Sequence, residues 1–319
     1  MVDFKVLFNL GILYLGTHHI IGMMVTAPLD RVKLLLQTQA VNEKLVGKNY
    51  KGIVDAFKRI RKEEGRRAFW RGSVPMILKY FTLDDLLKLD PKENNKGFFD
   101  FWPKNGFLSL LMLSYASTSL PNATEAFYLW LASPLLLPPL LVLGYPLDFA
   151  RTRLAVDIGK EKSERQFTGL RDCFRKIYKT DGIRGVYRGF GASMLGIIVH
   201  RSIFIGGRDI LKRKDRSPNS ESNSQFLTSQ LLFILGYLLS YPFDTVSRRL
   251  MMQSGRKDVL YTGSVDCFIK IARNEGLKGF YKGSLISLFG LSAAYCLAPG
   301  VEVLPYLFLF LWLNCLKFF

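Results

Sequence analysis

Cysteine and histidine are scarce in this 319-residue chain, with four and three copies respectively. Cys173, Cys267, Cys296 and Cys315 show neither metal-ligand spacing nor a disulfide framework. Catalytic signatures are missing as well. There is no P-loop, no H-E-x-x-H and no G-x-S-x-G, so an enzyme is not expected and neither is a metal or a cofactor. Acid is in short supply: 26 Asp and Glu stand against 44 Lys and Arg, a net charge of +18. That excess is placed badly for reading nucleic acid, because it clusters between apolar stretches, at Lys44 to Arg71, Arg165 to Arg188 and Lys257 to Lys282. Basic loops beside spanning segments suit the side of a membrane where positive charge is retained, and no nucleic-acid partner is expected. The N-terminus lacks the basic start and small-residue cleavage site of a secretory signal, so targeting information is expected to be internal.

What the chain does contain is one motif written three times. It reads Pro28-Leu29-Asp30-Arg31-Val32-Lys33, Pro146-Leu147-Asp148-Phe149-Ala150-Arg151 and Pro242-Phe243-Asp244-Thr245-Val246-Ser247. Downstream in each copy come a Gly with an Asp three residues on (Gly52, Gly169, Gly263), a second Gly thirteen residues later (Gly65, Gly182, Gly276) and an aromatic-basic-Gly triplet. The triplets are Trp70-Arg71-Gly72, Tyr187-Arg188-Gly189 and Tyr281-Lys282-Gly283. A register kept three times makes the chain one unit repeated. The prolines stand 118 and 96 residues apart, too far for a solenoid and right for two membrane helices per unit.

The fold class expected is an all-α membrane protein with six spans and three-fold pseudo-symmetry. Hydrophobic residues make up 49% of the chain and the mean hydropathy is +0.14, a mixture that amphipathic spans around a polar lumen would produce. The spans are expected near 4–27, 73–89, 127–145, 190–211, 226–241 and 285–311. Repeat 1 is assigned to 1–89, an inserted loop with room for a short extra helix to 90–126, repeat 2 to 127–214, a polar linker to 215–225, and repeat 3 to 226–319. Between the spans of each unit lies a short amphipathic helix, at Ile53 to Arg61, Leu170 to Tyr178 and Val265 to Ala272, suited to the membrane interface. Cys173 and Cys267 share a repeat position with Ala56, which reads as a buried small residue.

In each motif Pro kinks the helix, and the Asp and the residue three positions on share one face. The acids and bases can then form a ring of ion pairs across the lumen; the plainer alternative is that each Asp pairs locally. Gly72, Gly189 and Gly283, beside a base at a helix start, suit an anion such as a lipid phosphate, or are simple turn glycines.

These motifs resemble the mitochondrial carrier family over nearly the whole chain. Within it the segments PLDRVKLLLQTQ (28–39), YPLDFARTRLAVDIGK (145–160) and SYPFDTVSRRLMMQSGRK (240–257) are similar to the ADP/ATP carriers. The resemblance implies a multi-pass protein of the mitochondrial inner membrane that moves adenine nucleotide by alternating access. It also implies cardiolipin at Gly52, Gly72, Gly169, Gly189, Gly263 and Gly283.

By the family's pattern the matrix gate consists of Asp30, Lys33, Gln37, Asp148, Arg151 and Asp244. Ser247 stands where the third base belongs, so Asp148 is expected to lack its cation and to take a proton or water. The cytoplasmic gate keeps Asp209 and Lys212, whereas the aligned pairs elsewhere are Lys92 with Asn95 and Glu302 with Pro305. The substrate site maps to Lys79, Gly196, Ile197, His200, Arg201 and Arg248. Met23 and Gly290 replace cations there, Lys79 replaces an Arg and loses its bidentate fork, and His200 replaces a Tyr. Two lost cations would weaken nucleotide binding by several kcal/mol, at about 1.5–3 kcal/mol per charged hydrogen bond. Bulky third and fifth spans and an aromatic tail add to these departures, and the expectation is a transport-impaired carrier retained as an accessory subunit of a larger inner-membrane complex. The alternative is a working ADP/ATP or other anion antiporter.

Overall fold

The computed structural model describes residues 4–45, 47–79, 138–161, 163–214, 223–256 and 258–288. The inserted segment 90–126, most of the sixth span, and the pairs Lys92–Asn95 and Glu302–Pro305 lie outside them, as do the side chains of His18, His19, Asp209 and Lys212. Among the described residues every regular element is helical, and no helix there is long and apolar enough to cross a membrane.

Three helices carry the Pro-x-Asp motifs: α1 (Phe4–Thr38), α3 (Pro138–Ala155) and α6 (Asn223–Gln253). Three more are the amphipathic connectors: α2 (Ile53–Glu63), α4 (Leu170–Val186) and α7 (Ser264–Phe280). Helix α5 (Phe190–Lys214) follows the second triplet, and 73–79 and 284–288 are helical after the first and third.

The apolar stretches end at Pro28, Pro146 and Pro242, but the helices do not. Each runs on through its proline, α1 as far as Thr38 and α6 as far as Gln253, which corrects the boundaries read from hydropathy. A proline leaves the carbonyl four residues before it without its helical donor. Trp70 Nε1 donates to Met24 O at 2.9 Å and the Tyr187 hydroxyl donates to Val142 O at 2.9 Å; these carbonyls are the ones that Pro28 and Pro146 release. In repeats 1 and 2 the aromatic of the triplet thus repairs the helix of its own repeat. Residues 223–225, assigned to the linker, open α6 instead.

Each connector helix starts at an extended glycine, Gly52, Gly169 or Gly263. An aspartate in its first turn accepts the backbone N–H of the residue before that glycine: Asp55 from Lys51, Asp172 from Thr168 and Asp266 from Thr262, each at 3.0 Å. Negative charge at this end and Arg61 and Lys62 at the other complement the α2 dipole. Each connector turns at the second glycine, with φ of 86° at Gly65 and 66° at Gly182 and Gly276, a left-handed conformation that a side chain disfavours. Three small cores lie beneath the connectors, built around Ala56 and Ile60, Cys173 and Ile177, and Cys267 and Ile271. Each buried isoleucine contributes about 1.5–3 kcal/mol, and both cysteines are fully buried.

Candidate functional site

The three Pro-x-Asp helices converge where their acids lie. Arg151 donates to Asp30 at 2.7 Å, joining repeat 2 to repeat 1. Lys33 approaches Asp244 at 3.1 Å, joining repeat 1 to repeat 3, and its ammonium lies 5.3 Å from the Tyr241 ring. Gln37 donates to the same Asp244 carboxylate at 3.1 Å and to Thr245 Oγ1 at 3.2 Å. These bonds cross between repeats, so the acids act as a ring.

Asp148 is not left without a cation. Lys79 Nζ reaches its carboxylate at 2.6 Å, correcting the expectation drawn from Ser247. The Lys79 side chain passes close over Gly144, where a Cβ would lie 3.1 Å from Lys79 Cε. Ser247 itself is buried, with its hydroxyl 3.5 Å from the Tyr145 hydroxyl. Arg248 also serves the ring: it pairs with Asp244 at 3.2 Å and donates to Thr152 Oγ1 at 2.7 Å, tying α6 to α3. Two of the cations expected at the substrate site are therefore paired with the acids of the Pro-x-Asp motifs.

The rest of the mapped site divides between packing and open charge. His200 lies between α5 and α6, parallel to Phe204 and edge-on to Phe233 at a centroid distance of 5.0 Å. Gly196 brings α5 against α6, with Phe243 Cβ 3.2 Å from where its own Cβ would lie. Ile197 and Arg201 are half-buried, and Arg201 makes no ion pair or hydrogen bond among the described residues.

A second tier of ion pairs lies behind the first. The acid before each second glycine holds the base of its own triplet: Glu64 with Arg71 at 2.5 Å, Asp181 with Arg188 at 3.3 Å, and Glu275 with Lys282 at 2.6 Å. The motif reading missed these acids, although they precede Gly65, Gly182 and Gly276 in all three copies. Buried Arg31 also donates from Nη2 to both Glu64 oxygens, at 3.0 and 2.9 Å, and Arg249 grips Glu275 with both arms of its fork, Nη1 to Oε1 and Nη2 to Oε2. Burial pushes the Glu275 carboxyl up, but hydrogen bonds and charge from Arg249 and Lys282 outweigh it and hold the group down at about 2.

The triplet bases face these acids, and the triplet glycines are close-packing sites rather than simple turns. Their φ values are 88°, 90° and 84°. A Cβ on Gly72 would lie 3.0 Å from Arg151 O, one on Gly189 2.7 Å from Ser247 O, and one on Gly283 3.1 Å from Lys33 O. Each glycine thus rests on the backbone of the motif's last position in the following repeat, in the cyclic order 1 to 2, 2 to 3 and 3 to 1.

Comparison with known proteins agrees with this three-fold plan. The family model described as Mitochondrial carrier protein matches residues 12–84, 141–216 and 220–301, more than half of the chain. ADP/ATP translocase 2 of Bos taurus is 41% identical over 311 residues, covering 95% of this chain and 99% of that protein. ADP/ATP translocase 3 of Homo sapiens is 40% identical over 290 residues, 87% of this chain and 90% of that protein. The mitochondrial substrate carrier family protein ancA of Dictyostelium discoideum is 40% identical over 274 residues, 85% of this chain and 84% of that protein. A motif kept three times, a cyclic seating of each triplet glycine on the next repeat and similarity running through all three repeats lead to one conclusion: this chain belongs to the mitochondrial carrier family.

Proposed function

We propose that this chain is an inner-membrane, multi-pass carrier of the ADP/ATP type whose nucleotide exchange is strongly impaired. The observation that carries this reading is the 2.6 Å pair between Lys79 and Asp148. A cation that would meet a phosphate is held by the gate, and Met23 and Gly290 supply no replacement. Nucleotide phosphates need cations in a low-dielectric cavity, and Arg201 is the mapped cation that stands ready for one. Counter-exchange of labelled ADP in liposomes, run beside the bovine ADP/ATP translocase 2, tests this. Exchange at least tenfold below the control is expected; exchange equal to the control overturns the reading.

A role as an accessory subunit has separate support. The connector helices present large apolar side chains outward, among them Val54, Ile183, Val265 and Leu277, which are 63–79% exposed. Such a rim suits lipid or a protein neighbour. Gly52, Gly169 and Gly263 are open at the helix starts, with nothing within 4 Å of an added Cβ, which leaves room there for a cardiolipin headgroup. Migration in mild detergent at the mass of the lone chain would remove the accessory role.

A further inference from the structure

The three repeats treat their buried arginines unequally. Arg31 and Arg249 each face both oxygens of a glutamate, Glu64 and Glu275. Arg153 occupies in repeat 2 the position of Arg249 in repeat 3, seven residues after the motif proline. It is 95% buried, being 5% exposed, yet has no carboxylate among the described residues. Its Nη1 donates to Met252 O at 2.9 Å, its guanidinium lies 5.2 Å from the Phe167 ring centroid, and its Nε finds no partner.

The repeats also differ by one methylene. Where repeats 1 and 3 have Glu64 and Glu275, repeat 2 has Asp181. Its shorter arm is occupied by Arg188 at 3.3 Å, the Gly255 amide at 3.0 Å and the Ser254 hydroxyl at 3.3 Å. Arg153 lines a cavity of about 450 Å³, where residues of all three repeats meet. Arg153, Lys176, Lys179 and Arg256 line it against a single acid, Glu43, which Arg256 approaches at 3.1 Å. A buried guanidinium with an unused N–H, set in a basic cleft of this size, is built for a polyvalent oxyanion.

We propose that this cleft binds a phosphate group, which takes the place of the missing glutamate opposite Arg153. The group comes either from a free anion or from a lipid headgroup. The test is calorimetric titration of the full-length protein in phosphate-free detergent, first with inorganic pyrophosphate and then with phosphatidic acid in mixed micelles. One saturable site per chain is expected. Arg153→Gln weakens it about tenfold or more, and Lys179→Gln weakens it severalfold. Asp181→Glu, which restores the acid found in repeats 1 and 3, abolishes it while keeping the fold. Arg201→Gln leaves it unchanged, separating this cleft from the transport site. Pyrophosphate binding identifies a free anion, and binding of phosphatidic acid alone identifies a lipid; either supports the site. Binding that does not saturate, or that Asp181→Glu leaves untouched, means an adventitious ion only and overturns it.

Discussion

Lys79 and Asp148 stand 69 residues apart in sequence and 2.6 Å apart in space. The pair puts a cation from the segment after the first triplet where the third motif, ending in Ser247, supplies none. Removing Lys79 therefore strands the Asp148 carboxylate without its ion pair. Lys79→Ala is expected to destabilise the protein by about 1.5–3 kcal/mol, read as a lower melting temperature in mild detergent. Adding Ser247→Arg to that variant should return most of the loss. Additive losses in the double variant would show that Lys79 does not complete the ring.

A second expectation concerns the aromatic of the triplet. The Tyr187 hydroxyl serves the Val142 carbonyl that Pro146 leaves open. Tyr187→Phe keeps the ring, which is parallel to Tyr145 at 5.9 Å, and removes only the donor. A loss of about 1–3 kcal/mol is expected for the stranded carbonyl. A Pro146→Ala background, in which the helix supplies its own N–H, should shrink that loss to near zero.

The glycines should separate sharply under the same substitution. Gly189→Ala would put a Cβ 2.7 Å from a backbone oxygen at a φ of 90°, and a loss of at least about 1–3 kcal/mol is expected. Gly52→Ala meets nothing within 4 Å and keeps an extended backbone, so a change within about 1 kcal/mol is expected. Thermal unfolding of the two variants side by side decides it; equal effects would mean that contact between repeats is not what Gly189 provides.

Acid should act on the third connector through Glu275. Its carboxyl ionises near 2 in the folded protein and near 4.5 when free. A lowered folded value means that its stabilisation is fully present above about pH 4.5 and is lost as pH falls toward 2. Glu275→Gln should flatten the acid limb of the stability profile across that window. An unchanged limb would assign the acid sensitivity to other carboxylates.

Burial raises both Cys173 and Cys267 to about 12, which keeps them as thiols at neutral pH. Maleimide should label neither in the folded protein and both after denaturation. Prompt labelling of the native state would show that the connectors open readily.

The repeat made much of this architecture legible. Three copies of one register located the connectors, and Ala56, Cys173 and Cys267 at one position marked a buried small residue. What escaped had physical causes. Hydropathy follows side chains whereas a helix follows backbone bonds, so the boundaries at Pro28 and Pro242 fell short of Thr38 and Gln253. The partner of Asp148 could not be found from the motif, because pairing depends on which helix ends meet in space. The acids Glu64, Asp181 and Glu275 were visible in the repeat, but their importance shows only when Arg71, Arg188 and Lys282 are seen turned toward them.

The seating of each triplet glycine on the next repeat also sets an order of assembly. The last contact, Gly283 on Lys33, joins residues 250 positions apart. During synthesis the first two repeats can engage each other as soon as Gly72 meets Arg151, but that pair is an arc with two unsatisfied ends. Until the third repeat has been made, Lys33 lacks both the Asp244 carboxylate and the Gly283 seat, and the arc cannot close. Lesions near Gly283 should therefore act on the whole molecule, leaving a ring that has formed two of its three joints.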